Sequence, residues 1–150
     1  MISMSTIEVN KDQNENVVAS LLPFQIQYNG DINTLDYFTP SKLKESNNND
    51  NKLLDIAYFR GRKLVGETID LEKINYMGYI ITKSEYALDN SIENEENIVN
   101  TEMIQTANKF TSVANFDKLT VYGHDSLVKS TDQWNLIPEF IKVNKILNED

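Results

Sequence analysis

Several residue types are absent or scarce in this chain, and each absence removes a class of chemistry. The 150 residues include no cysteine, a single histidine, His124, and two arginines. Disulfides, thiolate metal sites and cysteine nucleophiles are therefore excluded, and one histidine is too few for a zinc site. No run of 18 apolar residues occurs, so we expect a soluble, intracellular protein.

Acidic charge dominates the composition. Asp and Glu number 23 against 14 Lys and Arg, which gives a formal net charge of −9 at pH 7. A protein that binds nucleic acid by itself usually carries a basic surface, because its affinity comes from neutralising phosphates. The composition therefore predicts that any contact with nucleic acid is local or is made through a partner.

The chain reads as one domain with polar interruptions. Residues 1–16 are polar and predict a disordered tail, and residues 17–148 predict a single domain. Within that domain residues 44–52 are rich in asparagine and residues 87–102 are acidic, so both are expected to be flexible insertions. The part that remains is small for an independent core.

Strand patterns run through most of the apolar segments. Leu22, Phe24, Ile26 and Tyr28 recur at a period of two, which predicts a half-buried strand. Pro23 lacks an N–H group, so this strand is expected at a sheet edge or at a strand start. The other segments with strand patterns are residues 53–71, 78–86 and 119–123.

Two segments leave more than one interpretation open. Residues 103–113 fit either a short helix or the approach to a strand. The C-terminal segment has helical apolar spacing and Thr131 or Asp132 as a possible cap, but Pro138 either starts the regular helix or kinks its first turn.

Consecutive strands with short turns, followed by a helix, predict a mainly β protein built as an antiparallel barrel or sandwich.

The strongest local pattern is a hairpin over residues 53–71. Alternation stops at Arg60-Gly61-Arg62-Lys63 and then resumes. Gly61 suits the positive φ of a tight turn, and Gly66 indicates a bulge or a close approach. The tip holds both arginines of the chain, with Phe59 beside them. This charge serves either solubility or docking, since the planar guanidinium suits carboxylates and phosphates.

No catalytic set can be assembled from the sequence. His124 lies beside Asp125 and Ser126, but adjacent residues of an extended segment point to opposite faces, so a surface turn is favoured over a triad. Paired carboxylates such as Glu95 and Glu96 lie in the acidic segment, whereas catalytic carboxylates are held on rigid elements. We therefore predict a protein that has no catalytic residue, metal or cofactor of its own.

Several ordered blocks of the sequence are similar to one protein family. In chain order they are Leu21-Leu22-Pro23-Phe24 with Asn29-Gly30, Tyr37-Phe38-Thr39-Pro40, Phe59-Arg60-Gly61-Arg62 with Leu64 and Gly66, Gly78-Tyr79, Ala114-Asn115-Phe116, Leu119-Thr120-Val121-Tyr122-Gly123, and Trp134. In this order and spacing the chain resembles the non-catalytic C subunit of eukaryotic, fungal-type ribonuclease H type 2. The N-terminal tail and the asparagine-rich insertion depart from the family's pattern.

The resemblance implies a structural subunit of a heterotrimer. In that family the catalytic A subunit holds the metal-binding carboxylates, so magnesium is expected in the catalytic partner. The B and C subunits interlace into a shared β-barrel assembly, and the C subunit lies between the other two. The complex cleaves RNA in RNA–DNA hybrids and nicks DNA beside embedded ribonucleotides, which implies a nuclear location. A barrel completed by another chain would also remove exposed sheet edges.

The resemblance also indicates which residues to expect at the partner interface and in the core. The expected partner-binding residues are Phe59, Arg60, Gly61, Arg62, Lys63, Leu64 and Gly66. The expected structural core consists of Leu22, Phe24, Phe38, Phe116 and Trp134. Two other classes of function stay open: a free-standing OB-like module that binds single-stranded nucleic acid through the hairpin tip, and a small acid-catalysed hydrolase.

Overall fold

The computed structural model describes residues 4–12, 14–46, 52–88 and 105–149. The chain forms two compact units, and the single domain over residues 17–148 stays a prediction. The first unit comprises residues 1–17 and 79–115, and the second comprises residues 18–78 and 116–150. The acidic residues 89–102 lie outside the described residues, as do positions 47–51 of the asparagine-rich segment.

The first unit is a four-stranded sheet built around one long strand. Its strands are β1 (Met4–Glu8), β2 (Glu15–Asn16), β7 (Gly78–Leu88) and β8 (Gln105–Phe116). β8 pairs with each of the other three, and β1 and β2 run parallel to it. The parallel pairs differ from the antiparallel arrangement that the sequence predicts. Residues 103–113, which fitted a helix or a strand, belong to the strand β8 from Gln105 onwards.

The N-terminal residues gain order from this pairing. Residues 4–8 and 15–16 form strands inside the segment that was predicted to be a disordered tail. Two hydrogen bonds to one hydroxyl also hold the segment, because the Asn10 N–H and the Asn14 side-chain amide both donate to Ser112 Oγ, at 3.0 and 2.9 Å. A polar segment with little to bury is ordered here by backbone and side-chain hydrogen bonds.

The second unit is a five-stranded sheet that contains the hairpin. Its strands, in sheet order, are β3 (Ala19–Leu21), β9 (Lys118–His124), β6 (Arg62–Asp70), β5 (Leu53–Phe59) and β4 (Leu43–Ser46). β3 runs parallel to β9, and the other three pairs are antiparallel. Residues 44–46 of the predicted insertion thus form an edge strand. Neither sheet closes into a barrel among the described residues.

Residues 22–28 do not form the strand that the sequence predicts. β3 stops at Leu21, and no strand follows until β4. Pro23 is the physical reason, because it has no N–H group to continue a ladder. The alternation instead directs Leu22 and Phe24 onto the core cluster of the second unit, where both side chains are partly buried. The period of two was therefore a burial pattern without a strand.

The helices of the second unit are few and short apart from the last. α1 covers Thr34–Tyr37, and single 3₁₀ turns cover Thr39–Ser41 and Glu72–Ile74. α2 covers Ile137–Asn148. Pro138 lies in the first turn of α2, where its missing N–H group would have no helical partner. Asp132 does not cap this helix; its carboxylate accepts the Trp134 N–H at 3.0 Å.

Both faces of the second sheet bury apolar residues: Ile56 and Val65 are buried on one face, and a core cluster lies on the other. Ala57 and Leu64 are 0% exposed and Tyr122 is 2% exposed, and partly buried side chains pack against them. These are Leu22, Phe24, Phe38 and Phe59, which includes three of the expected core residues. Phe116 is half-buried. Trp134 differs from its expected place in the core, because it lies in the turns before α2 and is 41% exposed.

Gly66 lies in the centre of this core face. It pairs with Asp55 on one side and with Tyr122 on the other, in a regular register without a bulge. A Cβ atom at this position would lie 2.7 Å from Cδ1 of Tyr122. The close approach that the sequence indicated is therefore an approach to an aromatic ring.

None of the described helices is long and apolar enough to cross a membrane.

Candidate functional site at the central hairpin

The hairpin tip is a two-residue turn formed by Arg60 and Gly61. Phe59 and Arg62 pair directly across it, and φ is 48° at Arg60 and 74° at Gly61. Positive φ at both central residues is typical of the type I′ turn, for which Asn-Gly is the favoured sequence. A side chain other than Asn or Asp is strained in this region by roughly 1–2 kcal/mol. The arginine at this position therefore points to a role for its side chain beyond folding.

Both arginines of the tip lie over aromatic rings. The guanidinium carbon of Arg60 is 5.4 Å from the centroid of the Phe59 ring. That of Arg62 is 5.8 Å from the centroid of the Phe24 ring. The two rings are 5.4 Å apart and tilted by 34°. Neither arginine forms an ion pair with a described carboxylate, so stacking orients both guanidinium groups while their hydrogen-bond donors remain available.

A third cation lies over a neighbouring ring. Lys42 Nζ is 4.7 Å from the centroid of the Phe38 ring and donates a hydrogen bond to Ser20 Oγ at 3.2 Å. Partial burial lowers the pKa of Lys42, and the negative charge of Asp55 opposes that shift. Desolvation disfavours the charged amine. An anionic group placed beside it would therefore be stabilising.

The rings beneath the cations form one connected cluster. Phe38 makes edge-to-face contacts with Phe59, at 6.4 Å and 73°, and with Tyr122, at 6.0 Å and 77°. Each such pair contributes about 0.5–1.5 kcal/mol beyond the area it buries. Burial, and secondarily the charge of Asp55, raises the pKa of Tyr122 to about 12. The phenol is therefore neutral at physiological pH and anchors the cluster in the sheet.

We call this surface the aromatic–cation face. It is defined by three rings and three cations: Phe24, Phe38 and Phe59, with Lys42, Arg60 and Arg62. A groove of about 410 Å³ lies between residues 24–28 and the hairpin tip. A second groove, of about 310 Å³, has a mainly apolar lining that includes Leu22 and Phe38, with Lys42 as its cation. Ile26 and Phe59 line both grooves.

The structure brings together four of the seven residues that the sequence suggested for partner binding. Those four are Phe59, Arg60, Gly61 and Arg62. Lys63 lies on the opposite face of the sheet, because successive residues of a strand alternate. Leu64 is 0% exposed and Gly66 is buried under the Tyr122 ring, so neither residue offers a surface to a partner. Leu64 and Gly66 instead lie buried beneath the exposed residues of the hairpin and support their packing.

Sequence reasoning missed part of the aromatic–cation face. Phe24 and Phe38 were expected only in the core, yet each also carries a cation on its ring. Lys42 was not singled out, although its ring partner Phe38 lies only four residues before it; its hydrogen bond to Ser20 is a tertiary contact. Phe24 and Ile26, which line the first groove, could have been found from the period of two in residues 22–28.

The other titratable residues considered from the sequence are His124 with Asp125, which lie at the surface, and Glu95 with Glu96, which lie outside the described residues. His124 is exposed, and its Nε2 lies 3.7 Å from the Asp125 carboxylate. His124 is the last residue of β9, and Asp125, with a φ of 58°, begins the exposed bend after it, so the pair lies at the surface. Within the part of the chain that the structure describes, no group of three His, Cys, Asp or Glu residues could hold a metal ion.

The fold and the hairpin define a mainly β protein with an exposed cationic face on an acidic chain. The family described as "Ribonuclease H2 non-catalytic subunit (Ylr154p-like)" matches residues 18–147, and the chain belongs to this family. Membership confirms the resemblance seen in the sequence blocks and the prediction that the chain itself is not catalytic. It also implies association with the other components of ribonuclease H2.

A fungal relative extends the comparison. The chain is 32% identical over 117 residues to the uncharacterized protein C12B10.15c of Schizosaccharomyces pombe. The aligned region covers 77% of this chain and 71% of the relative. The similarity therefore spans most of both proteins, and it is consistent with one architecture for the two chains.

Proposed function

We propose that this chain is the C subunit of a heterotrimeric type 2 ribonuclease H, in which it bridges and stabilises the catalytic A subunit and the B subunit. The assembled enzyme would cleave RNA in RNA–DNA hybrids and nick DNA beside embedded ribonucleotides, in the nucleus. Magnesium would be bound by the catalytic partner, and this chain would meet the hybrid only through the complex. Family membership supports the structural role.

The observation that carries this proposal is the amount of apolar surface left exposed. Among the described residues, more large hydrophobic side chains are exposed than are buried. Ile80 and Ile81 of β7 are 45% and 48% exposed, and Phe140 and Leu147 of α2 are 70% and 77% exposed. A chain that functions alone rarely leaves so many large apolar groups in water, whereas obligate subunits bury them against a partner.

The sheets supply a second argument for assembly. β3 and β4 are the edges of the second sheet, and the side chains of β4 are exposed along its whole length. An edge strand has N–H and C=O groups without a partner strand, and these can pair with a strand from another chain. A barrel shared with the B subunit would use such edges, and it is part of this proposal.

Co-expression tests the proposed assembly. The chain expressed alone is expected to be insoluble or partly unfolded, and to become soluble and monodisperse with B-type and A-type subunits, because the partners cover its apolar surface. Size-exclusion chromatography with mass determination would measure the complex. A lone chain that is well folded and does not associate with these partners would contradict the proposal.

The hairpin arginines allow a sharper test. Arg60→Ala or Arg62→Ala is expected to weaken assembly with the catalytic partner, or hybrid cleavage by the trimer, because each removes a guanidinium that has no carboxylate partner among the described residues. Loss of one buried interfacial charge pair costs about 2–5 kcal/mol. Lys63→Ala is the matched control, since Lys63 lies on the opposite face of the sheet. If the yield of the complex and its cleavage of the hybrid were unchanged, both arginines would serve only solubility.

Stacked arginines and aromatic rings also favour one rival function. The same groups occur in OB-like modules that bind single-stranded nucleic acid. If the chain were such a module, the lone protein would bind oligonucleotides with an affinity that falls steeply as salt rises. Absence of that binding, together with assembly into the trimer, would eliminate the module.

A further inference from the structure

We infer that the aromatic–cation face docks an extended segment of one of the partner proteins of the complex, in which acidic residues flank a large apolar side chain. The inference rests on the proposed function, since it names what the hairpin face recognises within the complex. The apolar side chain would enter the second groove, and carboxylates would meet Lys42, Arg60 and Arg62. Four observations carry the inference.

The first observation is that the cations are oriented and available. Each of the three lies over a ring at 4.7–5.8 Å. None forms a salt bridge with a described carboxylate. A guanidinium already held in place loses little further freedom when it binds, and its planar set of donors matches a carboxylate. The strained backbone at Arg60, with φ of 48°, is consistent with a residue retained for binding.

The second observation is an apolar recess beside the cations. The groove of about 310 Å³ is lined by Leu22, Ile26, Phe38 and Phe59, among others. Its volume lies at the small end of the roughly 300–1,000 Å³ that ligand pockets occupy. Interfaces are commonly anchored by one aromatic or aliphatic side chain in such a recess, surrounded by polar contacts. The cation at its wall, Lys42, favours a carboxylate next to that anchor.

The third observation concerns the backbone beside the first groove. Residues 24–27 belong to no strand, and the described chain provides no backbone hydrogen bond to them. The side chains of Gln25 and Gln27 line the same groove and are exposed. An extended peptide laid along this segment would find both main-chain and amide partners.

The fourth observation separates a peptide from nucleic acid. Three cations match a few carboxylates, whereas a nucleic acid strand would extend its phosphates beyond them onto a chain of net charge −9. Base stacking also needs an open ring face. Here Phe24 and Phe59 contact each other, and each already has an arginine over it. An acidic peptide segment therefore fits this face better than a single strand does.

Site-specific cross-linking in the co-expressed complex tests the inference. With Gln27 replaced by p-benzoylphenylalanine, the expected cross-link joins a segment of a partner protein that has at least two carboxylates beside a large apolar residue. Arg60→Gln with Arg62→Gln should abolish it. The same photoreactive residue at position 63, on the opposite face, is the control. A cross-link to added RNA–DNA hybrid, to a segment without carboxylates, or to nothing would overturn the inference.

A peptide titration keeps the two proposals distinguishable. It uses the co-purified complex where that forms; where the lone chain is instead well folded and forms no trimer, the proposed function fails and the lone chain is titrated. In either case a fluorescent peptide of glutamates around one phenylalanine tests the face directly by anisotropy. The arginine variants should bind it about tenfold more weakly, and a matched peptide with glutamine in place of glutamate should bind as weakly. Equal binding of both peptides, no binding of either, or tighter binding of an oligothymidylate would overturn the docking face.

Discussion

Gly66 shows how a single residue supports the hairpin face. Replacing Gly66 with alanine would place a Cβ atom 2.7 Å from Cδ1 of Tyr122 and 3.1 Å from Cγ2 of Thr120. Because Tyr122 is 2% exposed, its ring has little room to move. Overpacking of this kind destabilises by about 1–3 kcal/mol. We expect Gly66→Ala to lower the thermal unfolding midpoint of the co-purified complex.

The matched control for that substitution is Gly30→Ala. The three atoms nearest to its Cβ atom would all belong to the side chain of Tyr28, with the hydroxyl oxygen at 3.0 Å, and Tyr28 is 60% exposed. An exposed side chain can turn away, so the midpoint should change little. Equal effects of the two substitutions would show that the Tyr122 ring does not limit the space at Gly66.

Tyr122 makes the second unit sensitive to alkaline pH. Its pKa is raised to about 12 by burial and by Asp55, whereas tyrosine in an unfolded chain titrates near pH 10. The folded chain therefore binds this proton more tightly, and the associated stability is complete below about pH 10 and lost as pH rises towards about 12. We expect wild type to lose roughly 1 kcal/mol per pH unit more than Tyr122→Phe across this window.

Thermal unfolding of both proteins at several pH values between about 10 and 12 would measure this difference. Tyr28→Phe removes an exposed phenol and is the control for a general effect of the substitution. Parallel loss of stability in wild type and Tyr122→Phe would contradict the assignment of the raised pKa to Tyr122.

At the scale of elements, Arg60 in the hairpin turn lowers the stability of the chain but supplies a guanidinium group for binding. Arg60→Asn places a residue that tolerates positive φ at a position where φ is 48°. We expect it to stabilise the chain by roughly 0.5–1 kcal/mol while it weakens assembly, because the strain is relieved and the guanidinium is lost. Gly61→Ala, at φ of 74°, should destabilise instead. Unfolding midpoints and complex yield would measure the two effects separately.

Helix α2 presents an apolar stripe that the second unit does not cover. Phe140, Val143 and Leu147 of α2, with Leu136 just before the helix, follow the spacing of one helical face; Leu136 is 37% exposed, and the other three are 70%, 49% and 77% exposed. The double substitution Phe140→Ser and Leu147→Ser should therefore lower recovery of the complex while leaving the circular dichroism of the complex that is recovered nearly unchanged. Lys142→Ser, on the opposite side of α2, is the control, and equal losses would exclude the stripe from the interface.

At the scale of the whole molecule, charge and burial point in the same direction. A net charge of −9 discourages direct association with a polyanion. Among the described residues, few large side chains are almost fully buried, such as Ile56, Leu64 and Tyr122, and many others of similar size remain exposed. A small core with much exposed apolar surface is typical of a chain that completes its fold within a complex.

Local chemistry explains what could be predicted from the sequence. The turn could be predicted from Gly61, because glycine adopts positive φ more readily than other residues do. Both strands of the hairpin could be predicted from the alternation of apolar and polar residues. The same reasoning failed at residues 22–28, where alternation reflects burial against another segment and Pro23 prevents a strand. It also failed for Trp134, because a large aromatic residue need not be buried when it lies in an exposed turn.

The sequence by itself determined the turn at Arg60-Gly61, the lack of cysteine chemistry and the acidic charge, since each depends on residue type alone. Only the tertiary structure decided that Arg62 lies over Phe24 and that Lys42 donates a hydrogen bond to Ser20. The contact between Arg62 and Phe24 joins residues distant in sequence, so packing of the whole unit sets it. Recognition by this face is therefore a property of the folded sheet, whereas the turn that presents it is local.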